Sequence, residues 1–212
     1  MQQLPGTAST KPPGFILAGG LSSRMGQPKA LTMLAGRPLL AHVAARLAPQ
    51  TSRLSLSWNG ALPPEGLQGL VPIPDTIPGH AGPLAGILTA ISETDGRASH
   101  VATVPIDAPF FPPDLVAKLS AALESPDDIA IAFSSETMHP VFGLWPVSVA
   151  DDLEHFLRTD PKRRVRAFID RHRMRAVSFQ PTGAVDPFFN INTPEDLVLA
   201  EQIFNDIERL QP

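Results

Sequence analysis

Arg24 stands within, and Lys29 just after, a glycine-rich run (Gly19, Gly20, Ser22, Ser23, Gly26) that breaks out of an apolar stretch, Phe15, Ile16 and Leu17. Such a pattern is a buried strand opening into a turn. Glycines let a backbone approach a ligand closely. Successive N–H groups in the turn can converge into an anion-binding nest, and the two cations add fixed charge and further N–H donors. The chemistry served is phosphate binding. The alternative is an ordinary strand-to-helix loop with two solvated cations. The stretch lacks the Gly-Lys-Ser/Thr ending of a P-loop and the Gly-x-Gly-x-x-Gly spacing of a dinucleotide fingerprint.

Asp107 ends the apolar run Val101–Val104 and sits between Pro105 and Pro109, which stiffen its turn. A carboxylate there needs a partner, water or a cation, and magnesium is held by one or two carboxylates together with substrate phosphates. Capping the helix that starts near Pro113 is the alternative. Asp75 follows Leu70–Ile73 and precedes a glycine-rich turn, Gly79 to Pro83, into a helix. That turn could present N–H groups to an anion or serve close packing. Asn59 follows the strand Leu54–Trp58, and its spacing alone makes it a turn residue. Asn190 and Asn192 stand before Thr193-Pro194-Glu195-Asp196, a helix start with a Thr-x-x-Asp variant of the capping box. His139 is a lone histidine, by itself a structural residue that orients its neighbours. Residues 158–175 carry eight of the 17 Lys and Arg (Arg158, Lys162, Arg163, Arg164, Arg166, Arg171, Arg173, Arg175). Most such runs are solvated faces; binding an anionic partner is the other reading.

The elements that must position these groups alternate. Strands are expected at 15–17, 54–58, 70–73, 101–104, 129–133, 141–145 and 176–179. Helices are expected at 37–48, 84–92, 113–123, 149–157 and 162–172, with a last one from Thr193. Alternating strands and helices imply an α/β fold, three-layered and Rossmann-like, with a mostly parallel central sheet covered on both faces. In such sheets ligands bind beyond the carboxyl ends of strands, and the glycine loop, Asn59, Asp75 and Asp107 each follow a strand.

The 212 residues are enough for one domain with a substantial core. A net charge of −4 gives no bulk electrostatic case for nucleic acid or a membrane surface. The absence of cysteine removes disulfides, thiolate metal ligands and a cysteine nucleophile. No apolar run approaches the roughly 20 residues of a membrane helix. The polar, Pro-rich start is not a signal peptide. It is expected to be a flexible tail over 1–13, before a single domain over 14–212, in the cytoplasm.

Several of these segments resemble one family. Leu17-Ala18-Gly19-Gly20, Arg24-Met25-Gly26 and Lys29 are similar to the signature loop of nucleotidyltransferases that activate small molecules with NTPs, most closely the molybdenum cofactor guanylyltransferase (MobA) family. Pro105-Ile106-Asp107-Ala108-Pro109-Phe110 resembles the family's Pro-Cys-Asp-x-Pro-Phe, with Ile106 in place of cysteine. Asp75 with Gly82-Pro-Leu-Ala-Gly86, Asn59, His139-Pro140 and Asn190-Ile191-Asn192-Thr193-Pro194 also match, in order. The resemblance implies a nucleotidyltransferase fold and transfer of GMP from GTP to molybdenum-molybdopterin, with release of pyrophosphate. It implies Mg2+ on Asp107, and Arg24, Lys29 and Asp107 as catalytic residues. Leu17, Ala18, Gly19, Lys29, Asn59, Asp75 and Asp107 would bind the nucleotide, and Asn190 and Asn192 the acceptor. A nucleotide half (about 14–110) and an acceptor half (about 111–212) follow, with cofactor-biosynthesis proteins and apo-molybdoenzymes as further partners. A cytidylyl or sugar-phosphate nucleotidyltransferase of the same scaffold, and a non-catalytic GTP-dependent cofactor carrier, remain open at this point.

Overall fold

The computed structural model describes residues 11–18, 29–58, 70–76, 82–94, 96, 98–181 and 185–210. Seven strands form one sheet: β1 (Gly14–Leu17), β4 (Leu54–Ser57), β5 (Val71–Ile73), β6 (His100–Pro105), β7 (Ile129–Ser134), β8 (Thr137–Pro146) and β9 (Met174–Phe179), in the order β5-β4-β1-β6-β8-β7-β9. A separate two-stranded hairpin, β2 (Met33–Leu34) and β3 (Arg37–Pro38), lies outside it. All main-sheet pairings are parallel except those of β8, which is antiparallel to both β6 and β7. The reversal follows from the short connection. Ser135 and Glu136 alone join β7 to β8, and such a turn permits only an antiparallel pair. Ser135 takes a left-handed conformation, φ 52°. Hydrogen bonding to the sheet begins ahead of residue 14, with the Pro12 and Pro13 carbonyls accepting from Ser52 and Ala102.

Alternation along each strand sends successive residues to opposite faces. Ile16, Leu56 and Val104 pack on one side with Leu40, Val43 and Leu47 of α1 (Leu39–Leu47) and Leu115 and Leu119 of α3 (Leu115–Ala121). Phe15, Leu17 and Val101 pack on the other with α2 (Pro83–Ser92), α4 (Ala150–Thr159) and α5 (Val165–Ile169). This is the expected three-layer arrangement. Every residue from Leu84 to Ile91 is buried, and Thr89, the one polar side chain among them, donates to the Ala85 carbonyl. A side chain at Gly86 would bring its Cβ to 3.0 Å from Leu17 Cδ2, so this glycine lets α2 lie close to β1. A third cluster joins the β2–β3 hairpin to α6 (Pro194–Leu210) through Leu34, Leu39, Ile191 and Ile203.

Two expectations shift. Arg37 and Pro38 belong to the hairpin, and α1 starts at Leu39. The basic helix expected over 162–172 shrinks to α5, Val165–Ile169. Arg163 holds φ at 45°, incompatible with the φ near −63° of an α-helix, so the helix cannot start before it.

Candidate functional site

β1 and β6 run parallel and end side by side. Pairing continues one residue further, with Ile106 N–H donating to the Leu17 carbonyl at 3.1 Å, which sets Asp107 at the carboxyl end of the sheet beyond Leu17. The Asp107 carbonyl accepts from Ile191 N–H at 2.8 Å, and so anchors the segment before α6. That segment is held from its other side. Asp196 Oδ2 accepts from the N–H groups of Asn192 and Thr193, each at 2.9 Å, and Asp196 N–H donates to Thr193 Oγ1 at 3.1 Å. This is the capping box read from the sequence. Those backbone donors, with Lys29 nearby, hold the Asp196 carboxyl below the usual carboxylate range.

Lys29 opens a tight turn whose carbonyl accepts from Thr32 N–H at 3.0 Å. Its ammonium lies 2.8 Å from Asp107 Oδ2 and donates to Asn192 Oδ1 at 2.5 Å. Residues from three distant parts of the chain thus meet at one nitrogen. The Lys29 and Asp107 side chains are 22% and 19% exposed, so the pair faces a solvent-accessible space. That space is a cavity of about 550 Å³, lined by Leu17, Ala18, Lys29, Asp107, Asn190 and Asn192 on one part of its wall. Oδ1 of Asp107 makes no hydrogen bond among the described residues. A hard oxygen donor that reaches solvent with a free lone-pair face suits Mg2+ or Mn2+. Among the described residues no group of three or more His, Cys, Asp or Glu could hold a metal without such help from a ligand.

Asp75 follows the outermost strand β5, at the same carboxyl end of the sheet. It accepts from Ser57 Oγ at 2.6 Å, and its neighbour Thr76 donates its N–H to Thr89 Oγ1 on α2 at 2.9 Å. It is not among the residues lining the cavity. Gly19, Arg24 and Asn59 lie outside the described residues. The structure therefore gathers six of the expected site residues around one space and sets Asp75 apart from them.

The MobA-like NTP transferase domain family matches residues 14–176. A molybdenum cofactor guanylyltransferase from Rhizobium meliloti (strain 1021) is 52% identical over 211 residues, which cover 96% of this chain and 97% of that protein. The chain belongs to the molybdenum cofactor guanylyltransferase family. Two solved structures share the fold of this guanylyltransferase chain. The molybdopterin-guanine dinucleotide biosynthesis protein A of Archaeoglobus fulgidus has a TM-score of 0.72 at 24% identity, over 92% of this chain and 99% of that one. A Mycobacterium tuberculosis protein solved as a manganese complex has a TM-score of 0.66 at 19% identity, over 91% and 99%.

Most of the basic 158–175 segment of this family member is paired locally. Arg158 meets Glu154, Arg166 meets Asp170, Arg171 meets Asp152, and Arg173 and Arg175 meet the buried Asp128. Lys162 and Arg163 line a separate hollow with Gly82 and Pro83 at the start of α2. The other wall of the main cavity is the start of β8, Thr137 to Phe142. No local pattern joins this wall to Ser134, which bonds to His139 behind it, or to Asp186, which accepts from Ser134. Ser134 and Asp186 stand 52 residues apart and carry no local signature. Among the described residues no helix is long and apolar enough to cross a membrane.

Proposed function

We propose that this chain transfers GMP from GTP to molybdenum-molybdopterin, and that Lys29, Asp107 and Asn192 form the centre of that transfer. The observation that carries the reading is the Lys29 ammonium held between Asp107 and Asn192 at the carboxyl ends of β1 and β6. The nucleophile is the terminal phosphate of the pterin. With a second pKa near 6, as for phosphorylated side chains, it is largely ionised at neutral pH and needs no side-chain base. A phosphate oxygen forms a new bond to the GTP α-phosphorus, the bond to the β-phosphate oxygen breaks, and pyrophosphate leaves. What remains for the protein is positioning and charge neutralisation.

Lys29 neutralises phosphate charge, and Arg24 on the glycine loop is assigned the same task. Asp107 holds Mg2+, which supplies charge stabilisation for the phosphates when bound. Asn192 fixes the Lys29 ammonium, Leu17 and Ala18 form the floor beside the nucleotide, and Asn190 faces the acceptor. Gly19, Asn59 and Asp75 complete the nucleotide site in this proposal. A cytoplasmic location and delivery of the product to apo-molybdoenzymes belong to the same reading.

The test is pyrophosphate release from GTP with molybdenum-molybdopterin, with CTP in equimolar competition. Formation of the guanine dinucleotide is expected. Predominant cytidine incorporation would overturn the choice of base, and GTP binding without pyrophosphate would mark a carrier.

A further inference from the structure

The start of β8 departs from regular pairing where it lines the cavity. Ala132 of β7 pairs with His139, but the next residue inward, Ile131, pairs with Gly143, which leaves Pro140, Val141 and Phe142 as extra residues in β8. Pro140 has no N–H to give to a ladder, which suits it to a bulge, and bulges re-aim side chains beside active sites. Thr103 Oγ1 donates to the Val141 carbonyl at 2.7 Å and fixes the bulge to β6. His139 lines the cavity from this segment.

Behind His139 lies a short relay. Ser134 Oγ is 2.6 Å from His139 Nε2 and 2.6 Å from Asp186 Oδ2. Ser134 is 1% exposed and has one hydroxyl proton. An ionised carboxylate only accepts, so that proton goes to Asp186. The Ser134 oxygen must then accept from His139 Nε2–H. The imidazole is therefore the Nε2–H tautomer, with its lone pair on Nδ1. Nδ1 makes no hydrogen bond among the described residues. Asp186 Oδ1 accepts from Phe188 N–H at 2.8 Å, and the Phe188 ring lies 4.5 Å from the imidazole, tilted by 36°. Burial lowers the His139 pKa against the opposing charge of Asp186, which favours the neutral ring.

We propose that His139 is an acceptor-binding residue, whose Nδ1 takes a hydrogen bond from an N–H edge of a planar nitrogen heterocycle, and that Ser134 and Asp186 are positioning residues that fix its tautomer. The ligand class follows from the wall. A neutral acceptor atom set among Met138, Pro140 and Val141 suits a flat ring with N–H donors and does nothing for a phosphate. The pterin of the acceptor has such an edge. The inference rests on the reading that this chain uses that acceptor. Guanine has an N–H edge too, and the test separates the two.

His139→Gln places its amide nitrogen near the Nε2 position, which keeps the Ser134 bond and removes the Nδ1 acceptor. His139→Asn places its carbonyl oxygen near the Nδ1 position and keeps the acceptor. With both substrates varied, His139→Gln should raise KM for molybdenum-molybdopterin about tenfold, the scale of one lost hydrogen bond. KM for GTP and kcat should stay within twofold, and His139→Asn should restore the acceptor KM to within about threefold of the parent chain. Asp186→Asn gives a second, independent readout. Its carbonyl stays with Phe188 N–H, its amide donates to Ser134, and the Ser134 proton turns to His139. Imidazole 15N chemical shifts should report Nε2–H in the parent chain and Nδ1–H in Asp186→Asn, with the acceptor KM raised in the variant. An unchanged acceptor KM in His139→Gln, a rise in the GTP KM instead, or an Nδ1–H tautomer in the parent chain would overturn the proposal. Absence of pyrophosphate from the parent chain would instead overturn the acceptor reading beneath it, and the two failures are thereby distinct.

Discussion

At Lys29 and Asp107 the question is whether the ion pair serves the fold or the reaction, and magnitudes decide it. A pair whose two ends still reach solvent contributes on the order of 1 kcal/mol to stability, or roughly 2–4 °C in melting temperature for a chain of this size. Loss of one preorganised charge-stabilising donor costs about 100-fold or more in rate. Lys29→Ala should therefore leave the melting temperature within a few degrees and lower kcat by at least about 100-fold. A large drop in melting temperature with preserved turnover would make the pair structural. Asp107 leads to a second expectation. It offers a single carboxylate, so Mg2+ must find its other oxygens on the substrate. Calorimetric titration should show Mg2+ binding at least tenfold tighter with a non-hydrolysable GTP analogue than without, and Asp107→Asn should erase the difference. Lys29, Asp107 and Asn192 could be read from sequence because each sits at a strand end or helix start with a recognisable local pattern. Ser134 and Asp186 could not, because their relation exists only once β7 and the loop before α6 are packed together.

Among the elements, the sheet was legible because two-residue alternation and apolar runs encode it directly. The reversal of β8 is written only in the brevity of the Ser135–Glu136 connection. The β2–β3 hairpin went unseen because two-residue strands carry no periodicity, and its turn, Ala35 and Gly36 at φ 47° and 74°, includes a residue not typical of that conformation. At the opposite end of the sheet from the site, Asp128 ties β7 to β9. It is fully buried, within 3.2 Å of Arg173 and 2.8 Å of Arg175, and also accepts from Glu124 N–H. Burial alone would raise its pKa, but the Glu124 N–H and the Arg175 and Arg173 guanidinium groups outweigh burial and lower it. A carboxyl depressed in the folded state stabilises above its unfolded pKa, about 3.9. That contribution is lost as pH falls below this value through the folded one. Melting temperature measured from pH 7 to pH 2.5 should fall steeply below about pH 4 in the parent chain. Asp128→Asn should start lower at pH 7 and fall less on that acid limb; an unaltered acid limb would place the titrating group elsewhere.

Across the whole molecule, α6 and the segment before it close onto residues 29–35. Lys29 and Asn192 are 163 residues apart and share a hydrogen bond, and Ala35 N–H reaches Glu201 Oε1 on α6 at 2.8 Å. The bond crosses the boundary near residue 110 between the proposed nucleotide and acceptor halves, so the two asparagines should not behave alike. Asn192 accepts from the ammonium proposed to meet GTP phosphates. Asn192→Ala removes one acceptor of that ammonium and should lower kcat about tenfold, with a weaker effect on acceptor KM. Its backbone N–H remains bonded to Asp196, so the cap of α6 should survive and the melting temperature should hold. Asn190 lines the cavity without a bond to Lys29 among the described residues. Asn190→Ala should raise the acceptor KM and leave GTP binding unchanged. Separate titrations of each variant with GTP and with molybdopterin, alongside turnover, read the two effects. If both variants lost GTP binding and acceptor binding equally, the segment before α6 would be a structural strap, and the closure of the chain would serve the fold alone.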